Sequence, residues 1–373
     1  MQAKLEFWRH CIRWLDDKSF IYITWTPGNQ LKRRMIIRRI QHLVLVLVCA
    51  TAGISSLSAQ DPVFSQFYSA PLQLNPALAG IVYAPNFSIN YRNQWPSLNS
   101  AYQTYAVSYD QFFRDYNSGV GIYVQSDNAG NGIIRTNKAS VAYSYRVRVS
   151  SSWELRLGIE AGMLQTRLDW SKLVFPDQLD PQFGAVSPGG TPIPSEENQP
   201  DDLNKTYFDI GAGGLVYNEN FYVGFTMKHL NTPGQRYLAI DDNLANGLPI
   251  RWSVHVGGEF DINMGNNRFW RPFISPNAMF VSQGASRQLN IGTFIGFGQV
   301  YGGVWYRHAN LNPDAIIGAF GFKSSRFRIT YSYDATISKL SLSSGGSHEI
   351  GVGITLDDKN RESKYNDCFS IFR

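Results

Sequence analysis

From about residue 86 onward, apolar and polar positions alternate with a period of two. Across 141–149, Val141, Tyr143, Tyr145, Val147 and Val149 share one face, while Ala142, Ser144, Arg146 and Arg148 share the other. Trp153, Leu155, Leu157, Ile159, Ala161 and Met163 alternate with Glu154, Arg156, Gly158, Glu160 and Gly162. Phe327, Ile329, Tyr331 and Tyr333 alternate with Arg328, Thr330, Ser332 and Asp334. Successive strand side chains point to opposite sides, so each segment is a strand between two different surroundings. About fourteen such segments follow: 86–95, 101–113, 117–126, 135–149, 151–167, 205–217, 220–230, 250–262, 269–281, 287–297, 299–309, 313–322, 325–336 and 346–356.

A soluble sandwich would also alternate, but most segments have the roughly 9–11 residues of a tilted membrane-crossing strand. Aromatic residues gather toward the strand ends, as an interfacial girdle requires. Charges on the second face suit a wet lumen better than a dry core. Loop lengths fall into two classes of opposite parity. The long connections, 168–204 and 231–249, follow the fifth and seventh strands, while 218–219 and 323–324 are short. Long outer loops and short periplasmic turns are the rule in outer-membrane barrels. An open sheet edge in lipid would leave backbone groups unpaired, at several kcal/mol each, so the sheet must close. The expected fold is an all-β, closed antiparallel transmembrane barrel of about fourteen strands over 86–356. Parity then places a short leader, 60–85, and a tail, 357–373, on the periplasmic side.

Composition narrows this further. Of 373 residues, 43% are hydrophobic and only 17% charged, below the roughly 25% of an ordinary soluble domain. The mean hydropathy of −0.23 is too polar for a bundle of membrane helices, and the aromatic content excludes a disordered chain. The net charge of +5 comes from the N-terminal region; from Gln60 onward there are 25 cations and 26 anions. A nucleic-acid binder needs a basic footprint on its folded part, so nucleic acid is excluded as a partner.

Residues 35–59 carry Arg38 and Arg39, an apolar run from Leu43 to Val48, and a Leu57-Ser58-Ala59 exit. That is the layout of a secretory signal peptide, with cleavage expected after Ala59. Residues 1–34 precede a complete signal, which points to an upstream mis-start or an extension. Of Cys11, Cys49 and Cys368, only Cys368 would remain after cleavage, leaving no internal disulfide.

The segments that suggest site chemistry mostly have structural explanations. Asp127–Gly132 superficially follows a calcium loop, but Ala129 and Lys138 stand where ligands are needed. Gly211-Ala212-Gly213-Gly214 lies within a strand, as small residues facing a crowded lumen would. Ser347, His348 and Glu349 are consecutive, so they face opposite sides and form no relay among themselves. His229, His255, His308 and His348 have no metal-ligand spacing. No catalytic residue, cofactor or metal ligand is assigned, and the chain does not read as an enzyme.

Residues 61–80 contain Asp61-Pro62-Val63-Phe64-Ser65-Gln66-Phe67-Tyr68 and Leu74-Asn75-Pro76-Ala77-Leu78-Ala79-Gly80. Further blocks are Tyr91-Arg92-Asn93-Gln94-Trp95-Pro96, Ser108-Tyr109-Asp110-Gln111, and the run from Leu173 through Asp177 and Asp180 to Pro181. Tyr331-Ser332-Tyr333-Asp334 and Gly345-Gly346-Ser347-His348-Glu349-Ile350 complete the series. Together they resemble the PorP/SprF family of type IX secretion system outer-membrane proteins. The end departs from the family's frequent Cys-Pro aromatic tail, because Cys368 is followed by Phe369.

The resemblance implies an accessory barrel assisting export or surface attachment of selected cargo, such as gliding adhesins. Implied partners are secreted cargo with type IX C-terminal domains, a periplasmic peptidoglycan-binding lipoprotein, ring components of the same machine, and outer-membrane lipid. Motif positions carried over are Arg92, Trp95, Tyr109, Asp110, Asp177, Asp180, Pro181, Tyr333, Asp334, His348 and Glu349. A barrel does not need the leader for closure, so Phe64, Phe67, Tyr68, Asn75 and Pro76 form the candidate partner or cargo interface. Two alternatives stay open: the leader folds back as a plug, or the barrel is a diffusion channel or a lipid or small-molecule transporter.

Overall fold

The computed structural model describes residues 61–98, 101–187, 189–233, 248–262, 272–310, 312–324, 326–338, 344–356 and 369. The expected signal peptide, the upstream segment, Cys368 and all of the tail except Phe369 lie outside the described residues.

The strands are β1 (Asn86–Gln94), β2 (Tyr102–Phe113), β3 (Ser118–Ala129), β4 (Ile134–Arg148), β5 (Glu154–Leu168), β6 (Asn204–Tyr217), β7 (Phe221–Lys228), β8 (Arg251–Gly258), β9 (Phe260–Asp261), β10 (Pro272–Gln283), β11 (Ser286–Phe297), β12 (Val300–Ala309), β13 (Asn312–Lys323), β14 (Phe327–Thr336) and β15 (Ser347–Thr355). Neighbours in sequence pair antiparallel all the way round, and β15 returns to β1 with Arg92 opposite Glu349. The barrel is closed and has fourteen staves, because β9 continues β8 along the same partner, β10. The expected single strand 250–262 is interrupted at Glu259. The β10 register carries Pro276 past this break, and a proline has no N–H to donate to the ladder.

The burial pattern is the reverse of a soluble protein's. Val141, Ile159 and Phe320 are 54%, 61% and 62% exposed on the outer wall, whereas Arg156, Asp334 and Glu349 are wholly buried inside. Only an apolar solvent outside and a polar interior reconcile the two. Val141, Tyr143, Tyr145, Val147 and Val149 face outward as expected. Arg146 is half-buried and donates to the Tyr83 hydroxyl at 2.7 Å, while Arg148 reaches the exposed rim. Tyr145→Arg is expected to destabilise the inserted barrel by roughly 2–4 kcal/mol near the midplane. Arg148→Glu should change it far less. Urea titration of the detergent-solubilised barrel measures both, and equal effects would contradict this orientation.

Candidate functional site

The sequence places residues 60–85 on the periplasmic side and leaves open a plug folded back into the barrel; of the described part, 61–85, residues 61–80 line up inside the lumen, which is the plug. Its start, Asp61, meets Gln283, His229 and Arg251, which stand at the end carrying the long loops. Its end, at Gly80, meets Asp110 and Arg156 at the short-turn end. The leader therefore runs the length of the interior before entering β1.

Its local structure follows from its prolines and one asparagine. A 3-10 turn, Phe67–Ser69, leads into the helical turn Pro71–Leu74 and the 3-10 turn Pro76–Leu78. Proline is suited to a first helical position because that N–H has no partner there. Asn75 caps the last turn, its side-chain oxygen accepting from the Ala77 N–H at 2.9 Å. The Asn75 amide also donates to the Gly214 and Phe225 carbonyls, fastening the turn to β6 and β7.

Two kinds of complementarity seat this segment. Apolar side chains fill the space: Phe64, Phe67, Tyr68, Leu72 and Leu78 are all buried. The Tyr68 ring stands edge-on to Phe294 at 4.6 Å and lies over Trp305 at 5.9 Å. Glycines on the wall allow the backbone to approach. A Cβ at Gly158 would lie 2.2 Å from the Ala77 nitrogen, and one at Gly119 only 2.0 Å from the Ala79 oxygen.

The wall then holds the leader at three places. Near the long-loop end, the main-chain N–H groups of Ser65 and Gln66 donate to the two oxygens of Glu349 at 2.9 and 2.8 Å. The Ser65 hydroxyl donates to Asp334 at 2.6 Å and accepts from Arg92 and Arg307 at 2.6 and 2.8 Å. Arg92 pairs with Glu349 at 2.9 Å and Asp334 at 3.0 Å, and Arg307 with Asp334 at 2.7 Å. These are charge-assisted bonds in a site closed to water, where pairing offsets the desolvation of each ion. At the short-turn end, Asp110 accepts from the Gly80 N–H at 2.9 Å, and Arg156 donates to the Ala79 and Gly80 carbonyls.

The third anchor is a chain of charges. Asp61 meets His229 Nε2 at 2.6 Å, His229 Nδ1 meets Asp209 at 2.8 Å, and Asp209 accepts from Lys138 at 2.9 Å. Lys138 and Lys228 share Glu160, and Lys228 also donates to the Leu72 carbonyl. Burial raises the Asp61 pKa, but the hydrogen bond and charge of His229, with Arg251 and Lys138, outweigh it and hold the carboxyl well below its usual range. His229 follows β7 directly. Burial disfavours its charged form, yet bonds to Asp209 and Asp61 raise its pKa above the ordinary imidazole value.

The stabilisation from His229 is thus complete below the unfolded-state pKa of about 6.5 and lost as pH rises through the higher folded-state value. Thermal unfolding of the wild type across pH 6–9 should show this loss. His229→Gln should remove that pH-dependent component; a matching profile in the variant would contradict the assignment.

The eleven motif positions separate by location. Arg92, Asp110, Asp334 and Glu349 converge on the leader from four strands. Trp95, Tyr109, Tyr333 and His348 do not join them. Trp95 packs against Tyr102 and Tyr109 against Phe87, at opposite ends of the β1–β2 pair. His348 lies on the other face of β15 from Glu349, with its Nδ1 2.8 Å from the Tyr331 hydroxyl. Asp177, Asp180 and Pro181 belong to the long loop after β5.

Phe64, Phe67, Tyr68, Asn75 and Pro76 are all buried in the lumen, so they present no free docking surface in this state. The sequence reading passed over Ser65 and Gln66, although they make the polar contacts with the wall. It also missed Arg307, Lys138, Lys228 and Asp209 as leader-holding groups. Their inward phase on the strands was the available signal. Among the described residues no cluster of His, Cys, Asp and Glu has the arrangement of a metal site. Phe369 is buried too, stacked on Tyr222 at 5.4 Å and edge-on to Tyr217 at 5.0 Å.

A closed antiparallel barrel with an apolar outer wall and a charged lumen filled by its own N-terminal segment defines a plugged outer-membrane β-barrel. Over residues 56–354 the chain matches the family described as type IX secretion system membrane protein PorP/SprF, and it belongs to that family. It is an outer-membrane barrel associated with type IX secretion; fold and family point to a membrane component rather than an enzyme. No curated protein sequence matches the chain. Among solved structures it is similar to the Ralstonia pickettii toluene transporter TbuX, at 11% identity and TM-score 0.46, covering 78% of this chain and 94% of that one. It is also similar to the Acinetobacter baumannii outer membrane protein Omp33, at 7% identity and TM-score 0.40, covering 74% and 99%. A KdgM porin matches at 10% identity and TM-score 0.31, covering 72% and 99%.

Proposed function

We propose that this chain is an accessory outer-membrane component of type IX secretion, assisting export or surface attachment of selected cargo such as gliding adhesins. Its partners on this reading are cargo proteins with type IX C-terminal domains, a periplasmic peptidoglycan-binding lipoprotein and ring components of the machine. The observation that supports it is the leader itself. Bound to the wall at both ends of the lumen, it makes the barrel a plugged scaffold that works through its surfaces. A diffusion channel or a lipid or small-molecule transporter would need a passage beside that segment or its departure.

Deletion of the gene is the direct test. Surface display of a subset of type IX cargo should fall while other type IX secretion continues, and the tagged barrel should copurify with periplasmic machine components. Normal display of all cargo, together with steady ion or solute flux through the wild-type barrel in planar bilayers, would overturn the proposal in favour of a channel.

A further inference from the structure

The long loop after β5, residues 169–203, uses its polar and apolar residues in an unusual way. Asp177 accepts from the Glu196 N–H at 2.7 Å and from the Ser195 hydroxyl at 2.9 Å. Asp180 accepts from the Gln182 and Phe183 N–H groups, and its main chain bridges to Gly184. The Gln178 amide donates to the Ile193 carbonyl at 2.7 Å, and Val186 bridges to Pro192. Residues 175–187 and 189–196 are thereby braced together by their own polar groups.

The large apolar side chains of this unit and its approach remain uncovered. Val174 and Leu179 are 57% and 55% exposed, Phe183 is 44% exposed, and Val186 is exposed as well. Loops normally place small polar residues outward, so large apolar side chains left uncovered on a loop braced by its own hydrogen bonds are available to a partner. Parity puts this loop on the outer side, away from the short turns. Its charge is one-sided: 169–203 carries seven carboxylates against Lys172. A surface of this kind attracts cations and repels an anionic lipid surface.

We infer that the 174–186 region of this loop is the outer docking surface for cargo, receiving a cationic protein surface with apolar side chains at its centre. The inference rests on the cargo-attachment reading above and gives it a location. Leu179 and Phe183 are the central contacts, and the surrounding carboxylates steer the basic partner. Asp177 and Asp180 are positioning residues that keep the apolar groups presented.

The test uses the full-length barrel in nanodiscs. The probe is the purified C-terminal domain of a cargo protein whose surface display is lost in the deletion strain. Leu179→Ser with Phe183→Ser should weaken binding about tenfold or more, as loss of central apolar contacts does. Raising salt should slow association with the wild type. Wild-type affinity in the double variant would overturn the inference. Quenching of a fluorophore at position 183 by brominated lipid in the probe's absence would also overturn it, by showing that the loop rests in the bilayer. A deletion strain that displays every cargo normally removes the underlying functional reading. Lost display in that strain, with probe binding indifferent to the loop, removes only the docking assignment.

Discussion

Glu349→Ala is expected to destabilise the closed barrel by about 3–5 kcal/mol, the range for breaking a buried ion pair from one side. Glu349 stands opposite Arg92 across β15–β1, the junction where the last strand meets the first. Its two oxygens also take the N–H groups of Ser65 and Gln66. The substitution therefore removes one of the two carboxylates that pair with the buried Arg92 and leaves two buried main-chain donors unpaired at once. Exchanging the pair, Arg92→Glu with Glu349→Arg, retains opposite charges at the junction. It nonetheless places a donor where the leader needs an acceptor, so it should recover little of the lost stability. Heat-modifiable gel mobility and urea titration in detergent read the effect. Full recovery in the exchanged variant would show that the junction pair alone matters and that the leader contributes nothing to closure.

Gly158→Val is expected to convert a closed barrel into a conducting one. The added Cβ would fall 2.2 Å from the main-chain nitrogen of Ala77, and no rotamer change can move a backbone atom aside. The leader must shift, while the barrel ladder, which β5 forms through its own main chain, stays intact. Gly119→Val acts the same way at the Ala79 oxygen. Gly318, by contrast, has open space where a Cβ would go, so Gly318→Val is the control that leaves the leader seated. Planar-bilayer recordings should show little current for wild type and Gly318→Val and clear, persistent current for the other two. Wild-type current levels in Gly158→Val would mean that the leader is not what closes the lumen.

Much of the barrel was legible in the linear chain because a strand's period of two puts every side chain on one face or the other without reference to the rest of the fold. Val141, Tyr143 and Tyr145 against Ala142 and Ser144 already specified which side met lipid. Loop parity needed only lengths, and closure followed from the cost of an open edge in hydrocarbon. The break at Glu259 was less visible, because Pro276 acts on it from a neighbouring strand.

The leader was a different problem. Phe64, Phe67, Tyr68, Asn75 and Pro76 have no strand period, and buried aromatics serve a partner's surface and a barrel's interior equally well. Their destination depended on contacts 139 to 284 residues away in sequence: Ser65 with Asp334 and Glu349, and Asn75 with Gly214 and Phe225. Inward charges such as Arg92, Asp110 and Glu349 could be recognised as inward but not matched to partners. Pairing is a property of three-dimensional register around the whole barrel. The sequence by itself determined the strands, their faces and the family. Only the tertiary structure decided that the leader occupies the lumen, because glycine-lined access and the placement of buried charges exist only once the fourteen staves have closed around it.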